Sequence, residues 1–235
     1  MRKLLAATLA AFCATAWANV NDFDIEGFRL GMSEAQVTAL LEEKCGNGGN
    51  FQIGEKKSER YNVLHSKVFQ CRIKDTQEKI QIDLKDKVFR IYSERSIHYP
   101  NDLSKADRDG MLKSIYAKLL EKYGKPVYEK DTGSSYNSIE LTGLSDRFDV
   151  VACWGDCETK EIYNGRGIEI RAGKTSLAAL GLSKDLLVDI SRILLDAKEE
   201  QAVESAFQQA AKAAENRAQE EAKKKSQQAT EGLKF

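Results

Sequence analysis

The stretch Lys79-Ile80-Gln81-Ile82-Asp83-Leu84-Lys85-Asp86-Lys87-Val88-Phe89-Arg90-Ile91-Tyr92 decides the fold class. Ile80, Ile82 and Leu84 alternate with Lys79, Gln81 and Asp83, the period of a strand with one wet face. Lys85-Asp86-Lys87 turns the chain into a second strand beginning at Val88. Upstream, Val63-Leu64 and Val68-Phe69 belong to one strand running toward Ile73, and the three together predict an antiparallel meander.

A helix precedes the meander. Ser33 and Gln36 form a capping box, Met32 and Val37 sit at hydrophobic-staple positions, and Val37, Leu40, Leu41 and Lys44 continue at helical spacing up to Gly46. Gly46-Asn47-Gly48-Gly49-Asn50 reads as a turn, because no strand precedes it and no Lys-Ser/Thr follows, as a phosphate loop requires. Phe23, Ile25, Phe28 and Leu30 lead in and are available to cover the core.

After the meander a second helix is expected over 104–123, striped by Met111, Ile115 and Leu119 and stopped by Gly124 and Pro126. Strand-like pieces follow at 138–141, 148–153 and 167–171. Helix then strands, twice, suggests an internal duplication. Shifting Gly31 onto Gly110 aligns Met32, Leu40, Leu41 and Glu42 with identical residues, and Val-x-x-Cys occurs at 68–71 and 150–153. From Ser183, an N-cap residue, Leu186, Leu187, Ile190, Ile193, Leu194 and Ala197 suggest a long C-terminal helix over 183–235. Its Ala/Glu/Gln/Lys-rich distal part projects or frays, and Lys223-Lys224-Lys225 beside Glu220 and Glu221 reads as solvated surface.

The first 18 residues read as an address. Met1-Arg2-Lys3 is basic, Leu4 to Cys13 is apolar, and Ala16-Trp17-Ala18 offers small residues before a cleavage point at Asn19. The apolar run falls short of the ~20 residues of a membrane span. Bulky Phe12 before Cys13 argues against lipid anchoring. The expected mature chain is periplasmic, without a transmembrane segment. The 235 residues are 42% hydrophobic and 31% charged, enough for a core. Lys+Arg and Asp+Glu are both 36, so charge gives no reason to expect a nucleic-acid partner.

Export makes disulfides available to Cys45, Cys71, Cys153 and Cys157. Four cysteines allow three pairings, and Cys45–Cys71 with Cys153–Cys157 keeps each pair inside one structural unit. Gly155-Asp156 reads as a turn clamped by the second pair, which has three intervening residues rather than the two of a redox C-x-x-C. A zinc site would want two close-spaced pairs.

Gly27-Phe28-Arg29-Leu30-Gly31-Met32-Ser33-Glu34-Ala35-Gln36-Val37, followed by Leu40-Leu41, resembles the opening of BamE/SmpA-type outer-membrane assembly proteins and of the related beta-lactamase-inhibitor-like superfamily. The segment from Ile80 to Ile91 is similar to their closing hairpin. The resemblance implies a helix packed on a small antiparallel sheet, and, for the inhibitor proteins, two such units in tandem. It assigns no functional residue here.

The expected architecture is therefore α+β: a signal peptide at 1–18, a first unit at 19–100, a second at 101–182 and the C-terminal helix. Little chemistry is patterned. His65 and His98 stand alone, Ser134-Ser135 lacks the nucleophile-elbow context, and Asp22 and Asp24 do not open a calcium loop. No catalytic, cofactor-binding or metal residue is assigned, and no cofactor is expected. The expected work is non-enzymatic binding of another envelope protein, with oligomeric state left open. Trp154, Tyr163, Tyr136 and Tyr99 are the candidate contacts, Trp154 being expected to be exposed in its cysteine loop. Inhibition of a periplasmic or secreted hydrolase, and thiol–disulfide or other enzymatic activity at Cys153 and Cys157, are the alternatives.

Overall fold

A computed structural model describes residues 22–46, 51–99, 114, 117–131, 150–158, 162–176 and 186–231. The expected signal peptide, Tyr136 and the strand expected over 138–141 lie outside them, as does most of the second expected helix.

Helix α1, Glu34–Cys45, starts as its sequence dictates. The Ser33 hydroxyl accepts from the Gln36 amide while the Gln36 side chain accepts from the Ser33 amide, and Gly46, with φ 98°, ends the helix. Four antiparallel strands follow: β1 Phe51–Lys57, β2 Leu64–Arg72, β3 Lys79–Leu84 and β4 Val88–Tyr99. Helix α2 is described at 114 and over 117–123, and it closes at Gly124 with φ 75°. Four further strands come next: β5 Tyr128–Asp131, β6 Val150–Glu158, β7 Ile162–Ser176 and β8 Leu186–Asp196, followed by helix α3, Ala197–Glu231.

All eight strands join one antiparallel sheet in the order β1-β2-β3-β4-β8-β7-β6-β5. The two outer series run inward and meet where β4 pairs with β8, so the fold is α+β with a long C-terminal helix. Paired residues share a face, and one transverse row reads Ile53, Phe69, Ile82, Ile91, Leu194, Ile168, Trp154. Phe69, Ile82, Ile91, Leu194 and Ile168 are fully buried beneath Phe23, Ile25, Phe28, Val37 and Leu41 of the lead-in and α1, and Tyr123 of α2. This is the covered face. The lead-in covers the core as expected.

The helix expected from Ser183 begins instead at Ala197, and Leu186–Asp196 is the strand β8. Leu-Leu-Val-Asp-Ile-Ser-Arg-Ile-Leu-Leu-Asp is apolar at positions that fit either period. Sandwiched between β4 and β7, it carries apolar residues on both faces, and such a run cannot be told from a helix by periodicity alone. The distal part of α3 is helical to Glu231, with almost every side chain exposed beyond Phe207.

Candidate functional site

The other face of the sheet carries a different row. Gln52, Gln70, Gln81 and Tyr92 lie opposite one another on β1 to β4, and the row continues through Ile193 and Glu169 to Cys153. Beside it runs Arg72, Lys79 and Glu94. Between the two rows on β1 to β4 lies an open depression of about 440 Å³ lined by Gln52, Gln70, Gln81, Tyr92, Arg72, Lys79 and Glu94, with Cys71 and Ile80 beneath.

Its floor is polar and incompletely satisfied. Gln70 Nε2 donates to Gln81 Oε1 at 2.8 Å. The Gln81 amide reaches Asp83 at 3.4 Å, and Asp83 is in turn held by Lys56 at 3.0 Å. Arg72 donates one nitrogen to the Gln77 carbonyl at 3.0 Å, and Lys79 and Glu94 pair loosely at 3.8 Å. The remaining guanidinium N–H groups of Arg72 and the exposed Gln52 amide are open to a ligand.

Helix α3 crosses the same sheet away from the depression, whose lining comes from β1 to β4 alone. Asp196 Oδ1 accepts from the Glu199 amide at 3.1 Å, capping the helix where β8 ends. Glu199 then meets Lys87 at 3.8 Å, Glu200 meets Arg90 on β4 at 3.4 Å, and Glu204 meets His65 Nε2 on β2 at 3.1 Å. Phe207 packs edge-on against the same imidazole at 5.2 Å, and Val203 is buried between these contacts. The contacts move from β8 to β4 to β2 as α3 advances, so the helix crosses the strands and heads for the β1 edge. Arg90 lies two residues from Tyr92, so the helix contact at Arg90 is about 7 Å along β4 from the floor.

Both expected disulfides are present, Cys45–Cys71 and Cys153–Cys157. The first ties the end of α1 to β2 behind the floor. The second lies within β6 and clamps a sharp bend at Gly155-Asp156: its Cα atoms are 6.2 Å apart, where four residues of straight strand would span about 13 Å. Pairing with β7 resumes beyond the break and runs to Glu158, and Gly155 has φ 96°. Trp154 is nevertheless not exposed. Strand alternation sends it to the covered face, where it is 1% accessible, tilted against Tyr123, and donates from Nε1 to the Gly124 carbonyl at 2.7 Å. Tyr163 stands on β7 opposite Cys157 and Tyr99 on β4 opposite Leu186, register positions away from the depression. Gln52, Gln70, Gln81 and Arg72 were missed because their grouping depends on strand register. The alternating polar positions of Lys79 and Gln81 were the available signal.

Among the described residues, the strongly perturbed ionisable group lies on the covered face. Burial of Arg192 on β8 alone would lower its pKa, but Glu78 and then Glu26 more than offset this and hold it above the usual arginine range. Its Nε also donates to Ser93 Oγ at 3.1 Å. Among the described residues, no cluster of three or more His, Cys, Asp or Glu has metal-holding geometry, and no helix is long and apolar enough to cross a membrane. No protein-family model, no curated protein and no solved structure matches the chain.

Proposed function

We propose that this is an exported, non-enzymatic periplasmic protein that binds another envelope protein, as an adaptor or assembly accessory, through the uncovered sheet face beside α3. The observation that carries the reading is the depression itself: a preformed floor with unspent hydrogen-bonding capacity, one tyrosine and one arginine. Tyr and Arg are favoured anchors at interface centres. Paired disulfides fit an oxidising compartment.

The BamE/beta-lactamase-inhibitor-like assignment remains part of this proposal. A helix followed by four strands, twice, with the two series meeting at β4 and β8, supports a duplicated unit of that kind. The same mirrored order favours a second reading, inhibition of a periplasmic or secreted hydrolase. Eight strands at ~4.8 Å spacing make a face wide enough for a folded domain.

The test is affinity capture by the chain from Asn19 onward, from envelope extract under oxidising conditions, beside the variant Gln52→Ala/Gln70→Ala/Arg72→Ala. These side chains are exposed, so the variant should fold. A protein retained by the native face and lost by the variant supports the reading, and its identity separates adaptor from inhibitor. Equal retention by both would sink it.

A further inference from the structure

We propose that the chain associates with a second copy of itself through the β1 edge, with a two-fold axis at Ile53, so that each α3 reaches across the other copy's depression. Self-association is measured without any outside partner, so its failure is distinguishable from failure of the function proposed above, although the arm and an outside partner would compete for the same depression.

Among the described residues, strand β1 ends the sheet and is paired only with β2. Six of its seven residues are exposed, and Ile53 is 54% accessible although its row is otherwise the buried core. An open edge with an exposed apolar residue is a template for another strand. Charge selects the register of a symmetric antiparallel pair. An axis at Glu55 or Lys56 would set like charges opposite each other. An axis at Gly54 would leave Ile53 facing Glu55. An axis at Ile53 sets Ile53 against Ile53, Gly54 against Gln52 and Glu55 against Phe51, covering the apolar residue in both copies.

The course of α3 fits the same axis. The helix advances about three residues per strand crossed, which matches Glu200 on Arg90 and Glu204 with Phe207 on His65, two strands further on. It leaves β2 beside Ser66, which pairs with Lys56, and therefore passes over the β1 edge at the level of Lys56. Residues 208–231 extend beyond it for ~36 Å at ~1.5 Å per residue. A two-fold axis perpendicular to the sheet keeps both helices on the same side. In the Ile53 register, the level of Lys56 continues into the other copy's row of Arg72, Lys79 and Glu94, which borders the depression.

The area suffices. A helix ~36 Å long and ~10 Å across, laid on the other copy reciprocally, removes on the order of 1,400 Å² from water, within the ~1,200–2,000 Å² of stable specific interfaces.

Sedimentation velocity over a concentration series is the primary test, with hydrogen exchange at residues 51–57. The expected result is a dimer whose β1 amides become protected as concentration rises. Ile53→Lys, which sets two ammonium groups at the axis, and Ala214→Pro, which bends the arm, should each weaken the dimer by at least tenfold while both disulfides and cooperative melting persist. A short bis-maleimide bridge should join Gln219→Cys on one chain to Lys79→Cys on another in mixed samples. A monomer at every concentration overturns the proposal. So does a dimer insensitive to Ile53→Lys, whether α3 pairs with α3 or another surface mediates it.

Discussion

Arg192 on β8 donates to the carboxylate of Glu78, which enters the sheet from the connection preceding β3, with β4 lying between the two. Glu78 is 2% accessible, and the same guanidinium reaches Glu26 at 3.0 Å and Ser93 at 3.1 Å. One arginine from the second series of strands thereby ties the lead-in, β4 and the β2–β3 connection to the joint at which the two series meet.

Removing one member of this pair should cost far more than removing both. Arg192→Met leaves Glu78 charged and buried and should destabilise by about 3–5 kcal/mol, whereas Arg192→Met with Glu78→Leu should recover most of the loss. Urea denaturation of the two single variants and the double variant closes the cycle. Additive losses would show that the two side chains do not act as a pair.

Trp154 gives an optical check on the covered face. The only other tryptophan, Trp17, lies in the expected signal peptide, so a chain beginning at Asn19 reports Trp154 alone. Its emission should be blue-shifted and shielded from acrylamide. Trp154→Phe strands the Gly124 carbonyl and should cost roughly 1–3 kcal/mol. Emission typical of water-exposed indole would contradict the path of β6.

The two disulfides should differ in worth. Cys45–Cys71 closes a separation of 26 residues and joins helix to sheet, and its replacement by serines should cost roughly 3–4 kcal/mol. Cys153–Cys157 spans only 4 residues along one strand, so the same chain-entropy argument gives about 2 kcal/mol. Denaturation of each double-serine variant measures the contrast. An equal or larger loss at Cys153–Cys157 would mean that it holds more than its own strand.

What could be read from sequence was what depends on neighbours in the chain. The capping box at Ser33 and Gln36, the alternation from Lys79 to Leu84, and the cysteine pairs within each series are local patterns. Leu186, Leu187, Ile190, Ile193 and Leu194 were misread as helical because a strand with apolar residues on both faces loses the alternation that marks it. Gly155 signalled a departure from regular backbone, which a bulge satisfies as well as a turn. The depression was invisible because Gln52, Gln70 and Gln81 come from three strands, and only register sets them in a row.

The boundary between β8 and α3 rests on Asp196, and this is where the misread segment can be tested most directly. If the helix ran unbroken from Ser183, Asp196 would lie in its interior and its replacement by alanine would raise helix propensity. In the structure Asp196 ends a strand and accepts the Glu199 amide, so Asp196→Ala removes an N-cap and should cost about 1 kcal/mol. Hydrogen exchange should locate the loss in residues 197–203, with β8 amides unchanged. A gain in stability with slower exchange across 186–196 would restore the helical reading.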